Sequence, residues 1–432
     1  EISYDEAITE VIQHCVRSAN KKLQSGWQMT TNEIALSYPA TYTSAQRQRL
    51  IELAEKASLA DGTQVHVSGT IAEPAAAGLD YLSRFDSDKE TTVLVYDLGG
   101  GTFDLALVAL YPKGRTNGDG DYYYDILAVD GLEDVGGGEF DEIMYQLIEQ
   151  KLQVPLNPSH KAALRAEAEK IKKDLTFDAY ADAEVLYNNE YLTVRVTREE
   201  FETASRELLM RTIEATKKMF ERHSNQKPET IILTGGASQM PMVKRALEEA
   251  FPEYKGDEMK HKEDKIQISN PSRAIADGAA RYGTAEAMND IAEKAEAVSV
   301  VQTRVGYDLG IRFYHSVDDE SGYISTYIPA GTPIPYQAAY QNSTTLHEDQ
   351  RYSGFTVYEA NKAHPDSEQV AEDYTEIMKV SLDHGREAPK GTRNESRLCI
   401  DKLGVLTIEA READHPEKPI KSTVELKNLS KS

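Results

Sequence analysis

The segment Val93-Leu94-Val95-Tyr96-Asp97-Leu98-Gly99-Gly100-Gly101-Thr102-Phe103-Asp104 constrains the fold of this 432-residue chain more than any other. An apolar run delivers an aspartate into three consecutive glycines, and a second apolar run, Phe103 to Ala109, leaves after Thr102. Runs that are apolar at every position, rather than at alternate ones, belong to strands covered by helices on both faces. The glycines allow positive φ and let backbone N–H groups approach a phosphate, and Thr102 adds a hydroxyl. Carboxylates beside a phosphate imply a bridging cation, so Asp97 or Asp104 is a candidate to organise Mg2+ held largely through water. Taken alone, the segment has a glycine-rich hairpin turn with solvated aspartates as its less favoured alternative.

A second buried run, Ile231-Ile232-Leu233-Thr234, leads into Gly235-Gly236-Ala237-Ser238 and a helix beginning near Met240. Ligands of α/β sheets gather beyond the carboxyl ends of strands, at such turns and helix N-termini. Two glycine turns in one domain therefore point to a nucleotide held from both sides. Between them, Lys172 and Lys173 lie within a turn of Glu169 on one helix; an ordinary solvated helix face is the alternative. In Ala72-Glu73-Pro74-Ala75, proline opens a helix and Glu73 is favoured by its dipole, either as a cap or as a functional carboxylate.

From residue 1 to about Gly283 the chain alternates helical periods with short buried runs, which is α/β architecture. Strands are predicted at Glu33 to Tyr38, Thr91 to Tyr96, Phe103 to Ala109 and Thr230 to Thr234. Helices are predicted at Ala45 to Leu59, Glu139 to Leu152, His160 to Leu175, Arg198 to Glu221 and Met240 to Ala250, with Thr43 and Gln46 as a capping box. Beyond Gly283 the texture becomes alternating residues rich in Tyr, Ile, Val and Thr, punctuated by Gly322, Gly331 to Pro335, Gly354, Gly385 and Gly404, which reads as an antiparallel sandwich. The best hairpin is Arg397 to Ala410, turning at Asp401 to Gly404. The boundary falls near residue 298, giving domains of 1–297 and 298–432; Ala363 to Asp373 reads as a solvated acidic loop.

Composition narrows the partners. With 72 acidic and 48 basic side chains the formal charge is −24, a field that disfavours nucleic acid and anionic membranes. Apolar runs fall short of the roughly 18 residues of a membrane span. Cys15 and Cys399 are too few for a zinc site or a disulfide framework, which fits a reducing cytoplasm. The ten histidines form no His-x-x-x-His pair, and no serine sits in a strand-to-helix elbow, so neither a transition-metal site nor a hydrolase triad is expected. Residue 1 is Glu inside a helical segment that runs to Leu23, so the sequence is expected to begin within something longer.

Tyr96 to Asp104, Thr234 to Pro241, Glu73-Pro74, Tyr38-Pro39-Ala40 with Gln46-Arg47-Gln48, Gly136 to Asp141, and Asn270-Pro271 through Ala280 together resemble the 70-kDa heat-shock chaperones (Hsp70, DnaK-like). So do Asp308 to Ile311, Ile328-Pro329, Thr332 to Pro335 and the Asp401 to Glu409 hairpin, in the same order and over nearly the whole chain. The resemblance implies an α/β actin-like (ribonuclease H-like) ATPase domain followed by an antiparallel β-sandwich peptide-binding domain. It implies binding of ATP or ADP with Mg2+, hydrolysis, and coupling to unfolded or extended polypeptide, with J-domain and nucleotide-exchange co-chaperones. Asp97 would organise the Mg2+ shell, Gly99, Gly100, Gly101 and Thr102 would hold the β- and γ-phosphates, and Asp104 with Glu73 would orient the attacking water. Glu169, Lys172, Lys173 and Thr176 would line the adenosine pocket opposite Gly235, Gly236, Ala237 and Gln239. Pro39 and Arg47 would relay nucleotide state, a strand-ending proline and a solvated helix arginine being the alternatives. Leu309, Ile311 and Phe355 would contact peptide.

The sequence also departs from the family. Its opening glycine turn and a later catalytic lysine have no counterpart here, and Val305 to Gly310 is no substitute, because Ile311-Arg312-Phe313 follows. Gln239 stands where the family usually carries an arginine that stacks on adenine. The connection Ala297 to Val301 lacks a leucine-rich acidic strip. Asn342 and Ser353 are polar at groove positions that are usually apolar, and the sequence stops after Thr423 to Leu426, where a helical lid would follow. A chaperone lacking its first lobe segment and lid is the first expectation. A divergent actin-fold sensor or scaffold with weak turnover and one dedicated partner is the alternative; a small-molecule kinase is disfavoured by the trailing sandwich.

Overall fold

The computed structural model describes residues 2–84, 89–112, 124–187, 190–256, 263–269, 273–291, 301–360, 366–368 and 370–423. Asn270-Pro271, residues 297–300 of the connection, 363–365 of the acidic stretch and Val424 to Leu426 lie outside them. The chain divides by packing into two units, neither continuous: residues 72–281 with Pro39–Thr41, and residues 1–38, 42–71 and 282–432. This cut differs from the one drawn by composition at residue 298.

The first unit is organised by a sheet whose strands lie in the order Tyr124–Leu132, Phe103–Leu110, Thr91–Leu98, Thr230–Thr234 and Ile266–Ile268. The first three pair antiparallel and the last two join in parallel. The uninterrupted apolar runs act as expected: Val93, Leu94, Val95 and Tyr96 are all fully buried. On one face Val95 and Val108 receive the helix Glu73–Leu82, whose Gly78 leaves room for only a hydrogen against the Val108 methyl. On the other face, Leu94, Tyr96, Leu98, Leu105 and Leu107 share a core with Phe140, Met144 and Ile148 of the helix Gly137–Leu152 and with Leu164 and Ile171 of the helix Pro158–Phe177. The hairpin Tyr180–Tyr187 with Glu190–Thr197 was not anticipated, although its alternating burial is plain in the strands. Thr197 and Glu200 then form a capping box that starts the helix Arg198–Arg222.

In the second unit, Ser3 and Glu6 cap the helix Tyr4–Trp27, and Thr43 and Gln46 cap the helix Ser44–Glu55 as expected. Glu33–Tyr38 pairs with His66–Ala72, a strand the sequence reading did not mark. Two antiparallel sheets follow. One runs Tyr323–Ile328, Leu309–Phe313, Gln350–Ala360, Tyr374–Ala388; the other runs Tyr336–Gln337, Arg393–Ile400, Leu406–Glu412, Ile420–Thr423, with Gln341–Thr344 also on Arg393–Ile400. The Ile400–Leu406 closure matches the expected hairpin, and Gly404 adopts φ +78 in its turn. Gly354 corrects the punctuation pattern: it lies inside the strand Gln350–Ala360 opposite Ser381, because neighbours on both strands continue the ladder through it.

Candidate functional site

The two glycine turns are neighbours because their strands are. Leu98 pairs with Phe103, and Asp97 faces Asp104 across one ladder and Thr234 across the other. The first turn closes when Gly99 N–H donates to the Thr102 carbonyl (3.0 Å). The Leu98 N–H donates to Ser238 Oγ (3.0 Å), which ties the second turn to the first. The helix Gly137–Leu152 starts against the same turn: Gly137 and Gly138 N–H groups donate to the Gly99 and Gly100 carbonyls at 2.9 and 2.8 Å.

Around this junction a cleft of about 520 Å³ opens. Of the residues anticipated for the nucleotide, Gly99, Gly100, Glu169, Lys172, Lys173, Thr176, Gly236, Ala237 and Gln239 line it. Gly101, Thr102 and Gly235 belong to the turns beneath. Gly137, Gly138, Asp141, Phe177 and Met240 line it as well and were not assigned; their signal in the sequence was the Gly136 to Asp141 motif and the end of the lysine helix. Lys172 is not on a solvated face. It is 8% exposed, donates to the Gly137 carbonyl (2.9 Å) and pairs with Asp141 (2.7 Å). Glu169 and Lys173 pair with each other at 2.6 Å on the exposed side of the helix.

Three acids stand at the strand ends. Asp104 Oδ1 accepts from the Ala40 N–H (2.7 Å), and its Oδ2 accepts from Thr102 Oγ1 (2.6 Å). Burial, followed by the charges of Asp104 and Glu73, pushes Asp97 up to about 7. Burial and then Asp104 raise Glu73 to about 7, and burial raises Asp104 against the hydrogen bonds it accepts. Among the described residues no lysine or arginine pairs with these acids, and no three His, Cys, Asp or Glu side chains are arranged to ligate a metal. Buried acids without a basic partner suit a hydrated divalent cation, bound through water. Glu73 is the first residue of its helix, with Ala72 as the N-cap, so it is not a side-chain cap.

The acids set a pH dependence. Their folded values exceed the unfolded ones of about 4, so their contribution to stability is intact below pH 4 and is lost as pH rises toward 7. Each costs up to about 1.4 kcal/mol per pH unit. The melting temperature of the metal-free chain should therefore fall more steeply between pH 5 and 7 than that of Asp97→Asn; equal slopes would contradict the burial of Asp97.

The relay pair lies in different units. Pro39 accompanies the acids. Arg47 is not the solvated helix arginine of the alternative reading: it is 8% exposed. Its guanidinium donates to Ser44 Oγ (2.9 Å) and to the Tyr38 hydroxyl (3.4 Å), while Glu359 accepts from the Ser44 N–H (3.0 Å) beside it. Leu309, Ile311 and Phe355 are 0%, 0% and 3% exposed, inside the apolar cluster of the two antiparallel sheets. Asn342 is exposed, but Ser353 turns inward. Ser353 Oγ is 2.9 Å from His384 Nε2, and His384 Nδ1 is 3.0 Å from Glu412. This Ser-His-Glu row is a structural clasp: Ser353 is 6% exposed, and its Oγ already accepts from Asn394 Nδ2 (3.0 Å) and Gln350 Nε2 (3.3 Å). No lone pair is left for attack on a substrate.

A strand-turn-strand aimed at a cleft, with a second glycine turn and a lysine helix around it, defines a nucleotide-binding class of α/β protein. The chain belongs to the Hsp70 family: the family model described as "Hsp70 protein" matches residues 4–431. It is 26% identical over 386 residues to a "Chaperone protein HscA homolog" of Aromatoleum aromaticum, covering 87% of this chain and 54% of that protein. It is 25% identical over 415 residues to the protein of the same name in Shewanella denitrificans (94% and 59%). To "Heat shock 70 kDa protein BIP3" of Oryza sativa subsp. japonica it is 28% identical over 386 residues (87% and 52%). The chain thus spans little more than half the length of these relatives. The family is one of chaperones with an actin-like, nucleotide-binding ATPase domain. Among the described residues no helix is long and apolar enough to cross a membrane.

Proposed function

We propose that the chain belongs to an ATP-hydrolysing chaperone of the Hsp70 type, acting in the cytoplasm. The observation that carries this reading is the cleft, which draws Gly99, Lys172, Thr176 and Gly236 together from separate segments near the buried Asp97 and Asp104 and the half-buried Glu73. In this reading Gly99 to Thr102 receive the β- and γ-phosphates. Lys172, Lys173, Glu169 and Thr176 flank the nucleoside, with Gly235, Gly236, Ala237 and Gln239 opposite. Asp97 holds water that hydrates Mg2+, which neutralises phosphate charge, and Asp104 and Glu73 orient the water that attacks the terminal phosphate. The raised pKa values of Asp97 and Glu73 suit groups that a cation must hold ionised at neutral pH.

Residues 298–432 are assigned to extended polypeptide. Leu309, Ile311 and Phe355 are closed within the core, so they would meet a peptide only when the sheets part. Nucleotide and peptide are coupled if each prefers a different arrangement of the domains. J-domain and nucleotide-exchange partners belong to the same reading. The buried clasp at Ser353 and the exposed Gln239 favour a second reading, a sensor or scaffold with weak turnover. ATP turnover by the full-length gene product, with and without an apolar heptapeptide, separates the two. The chaperone reading expects stimulation by peptide and a loss of about a hundredfold or more in Asp97→Ala and Thr102→Ala, the scale on which single groups that position or stabilise the transition state act. Unstimulated turnover without peptide binding favours the sensor.

A further inference from the structure

Thr234 ends its strand fully buried, and its hydroxyl has no hydrogen-bond partner. A hydroxyl so placed is costly, because it gives up water and gains nothing in return; valine would fill the same space without that loss. Among the described residues three buried hydroxyls are in this state, Ser205, Thr234 and Ser269, and two of them are neighbours. The parallel ladder pairs Leu233 with Ile268, and one step on the Ser269 N–H donates to the Leu233 carbonyl (2.9 Å). Ser269, 8% exposed, therefore stands beside Thr234.

Residues directly opposite one another in a ladder leave the sheet on the same face. Asp97 is opposite Thr234 in one ladder and Asp104 in the other, and Asp104 is in turn opposite Gly131. One row thus crosses the strand ends: Gly131, Asp104, Asp97, Thr234, Ser269. It lies on the face that carries Val95 and the helix Glu73–Leu82, so the half-buried Glu73 overlooks it and its charge reaches Asp97. At the centre of the row, Asp97 Oδ1 leans toward the strand of Thr234, since a Cβ on Gly235 would run into it.

An ionised carboxylate only accepts hydrogen bonds, whereas a hydroxyl both donates and accepts. Two acceptor-only groups followed by two unsatisfied hydroxyls, with no cationic side chain in the row, repel an anion and match the water shell of a cation. Neutral water alone would satisfy the hydroxyls but leave the charges of Asp97 and Asp104 side by side without compensation.

We infer that Thr234 is a positioning residue for a hydrated divalent cation at Asp97, its hydroxyl holding a water of the shell and Ser269 extending the same row. This rests on the cation reading of Asp97 and carries the shell across to the strand of the second glycine turn. The fold bears the cost of the unsatisfied hydroxyl until the shell is present, so removing it should move stability and binding in opposite directions.

The test is titration of the full chain with Mn2+ at mildly alkaline pH, read by loss of the free-ion electron paramagnetic resonance signal, beside thermal melting without metal. The binding that Asp97→Asn removes defines the site. Thr234→Val should weaken that binding about fivefold while the metal-free melting temperature stays equal or rises. Thr234→Ser, which keeps the hydroxyl, should hold the affinity within about twofold. Unchanged Mn2+ affinity in Thr234→Val would mean that the hydroxyls hold water only, and a fall in both affinity and metal-free melting temperature would mean that Thr234 serves the fold. Either result overturns the inference while the cation reading stands. Mn2+ binding that is the same in Asp97→Asn as in the unmodified chain overturns both.

Discussion

Replacing Gly235 by Ala is expected to destabilise the chain by about 2–5 kcal/mol, whereas the same change at Gly236 should cost within about 0.5 kcal/mol. Gly235 adopts φ +80, and a Cβ there would lie 2.4 Å from both Asp97 Oδ1 and the Leu98 carbonyl oxygen. Relief requires moving either the carboxylate at the head of the site or the backbone of the strand that carries it. Gly236 has helical dihedrals, φ −63 and ψ −41, and a Cβ on it would meet nothing within 4 Å. Urea denaturation of the two variants reads the contrast directly. Nucleotide affinity should collapse in Gly235→Ala even below its melting temperature, because Asp97 is displaced. Equal stabilities for the two variants would mean that the turns are not packed as described.

Arg47→Met should cost about 1–3 kcal/mol, because it removes the hydrogen bonds of a buried guanidinium to Ser44 Oγ and the Tyr38 hydroxyl and the positive charge that favours the ionised form of the buried Glu359. Burial raises the Glu359 carboxyl, and Arg47 followed by the Ser44 hydrogen bonds hold it down. Without the guanidinium, the charge on Glu359 is left to Ser44. In Arg47→Met/Glu359→Gln no buried charge remains and the amide oxygen still accepts from Ser44, so much of the loss should be recovered. A double-mutant cycle in denaturant measures the coupling. An Arg47→Met cost no greater than about 0.5 kcal/mol would show that the pair contributes nothing to the fold.

How legible each feature was depended on whether its cause is local. The capping box at Thr43 and Gln46 and the turn at Gly404 were readable because their hydrogen bonds span three or four residues. The glycine turns and the lysine helix were readable as motifs. The hairpin Tyr180–Thr197 was missed because its burial alternates but its residue types do so less clearly: Leu186 and Tyr191 are apolar at exposed positions. The burial of Arg47 was not readable because Glu359, which accepts from Ser44 beside it, is 312 positions away, and Ser353 looked like a groove residue because His384 and Glu412 come from later strands. Exposure decided by distant segments leaves no periodic trace.

The sequence by itself determined the buried strands, the two glycine turns and the family, since continuous apolar runs and φ-permissive residues act on their own backbone. Only the tertiary structure decided what those pieces face. The parallel pairing of Asp97 with Thr234 sets Gly235 against the carboxylate, and helix packing takes Lys172 out of water while leaving Lys173 in it. It also sets the unpartnered Thr234 hydroxyl in one row with Asp97 and Asp104, since burial and proximity are sums over contacts from the whole chain.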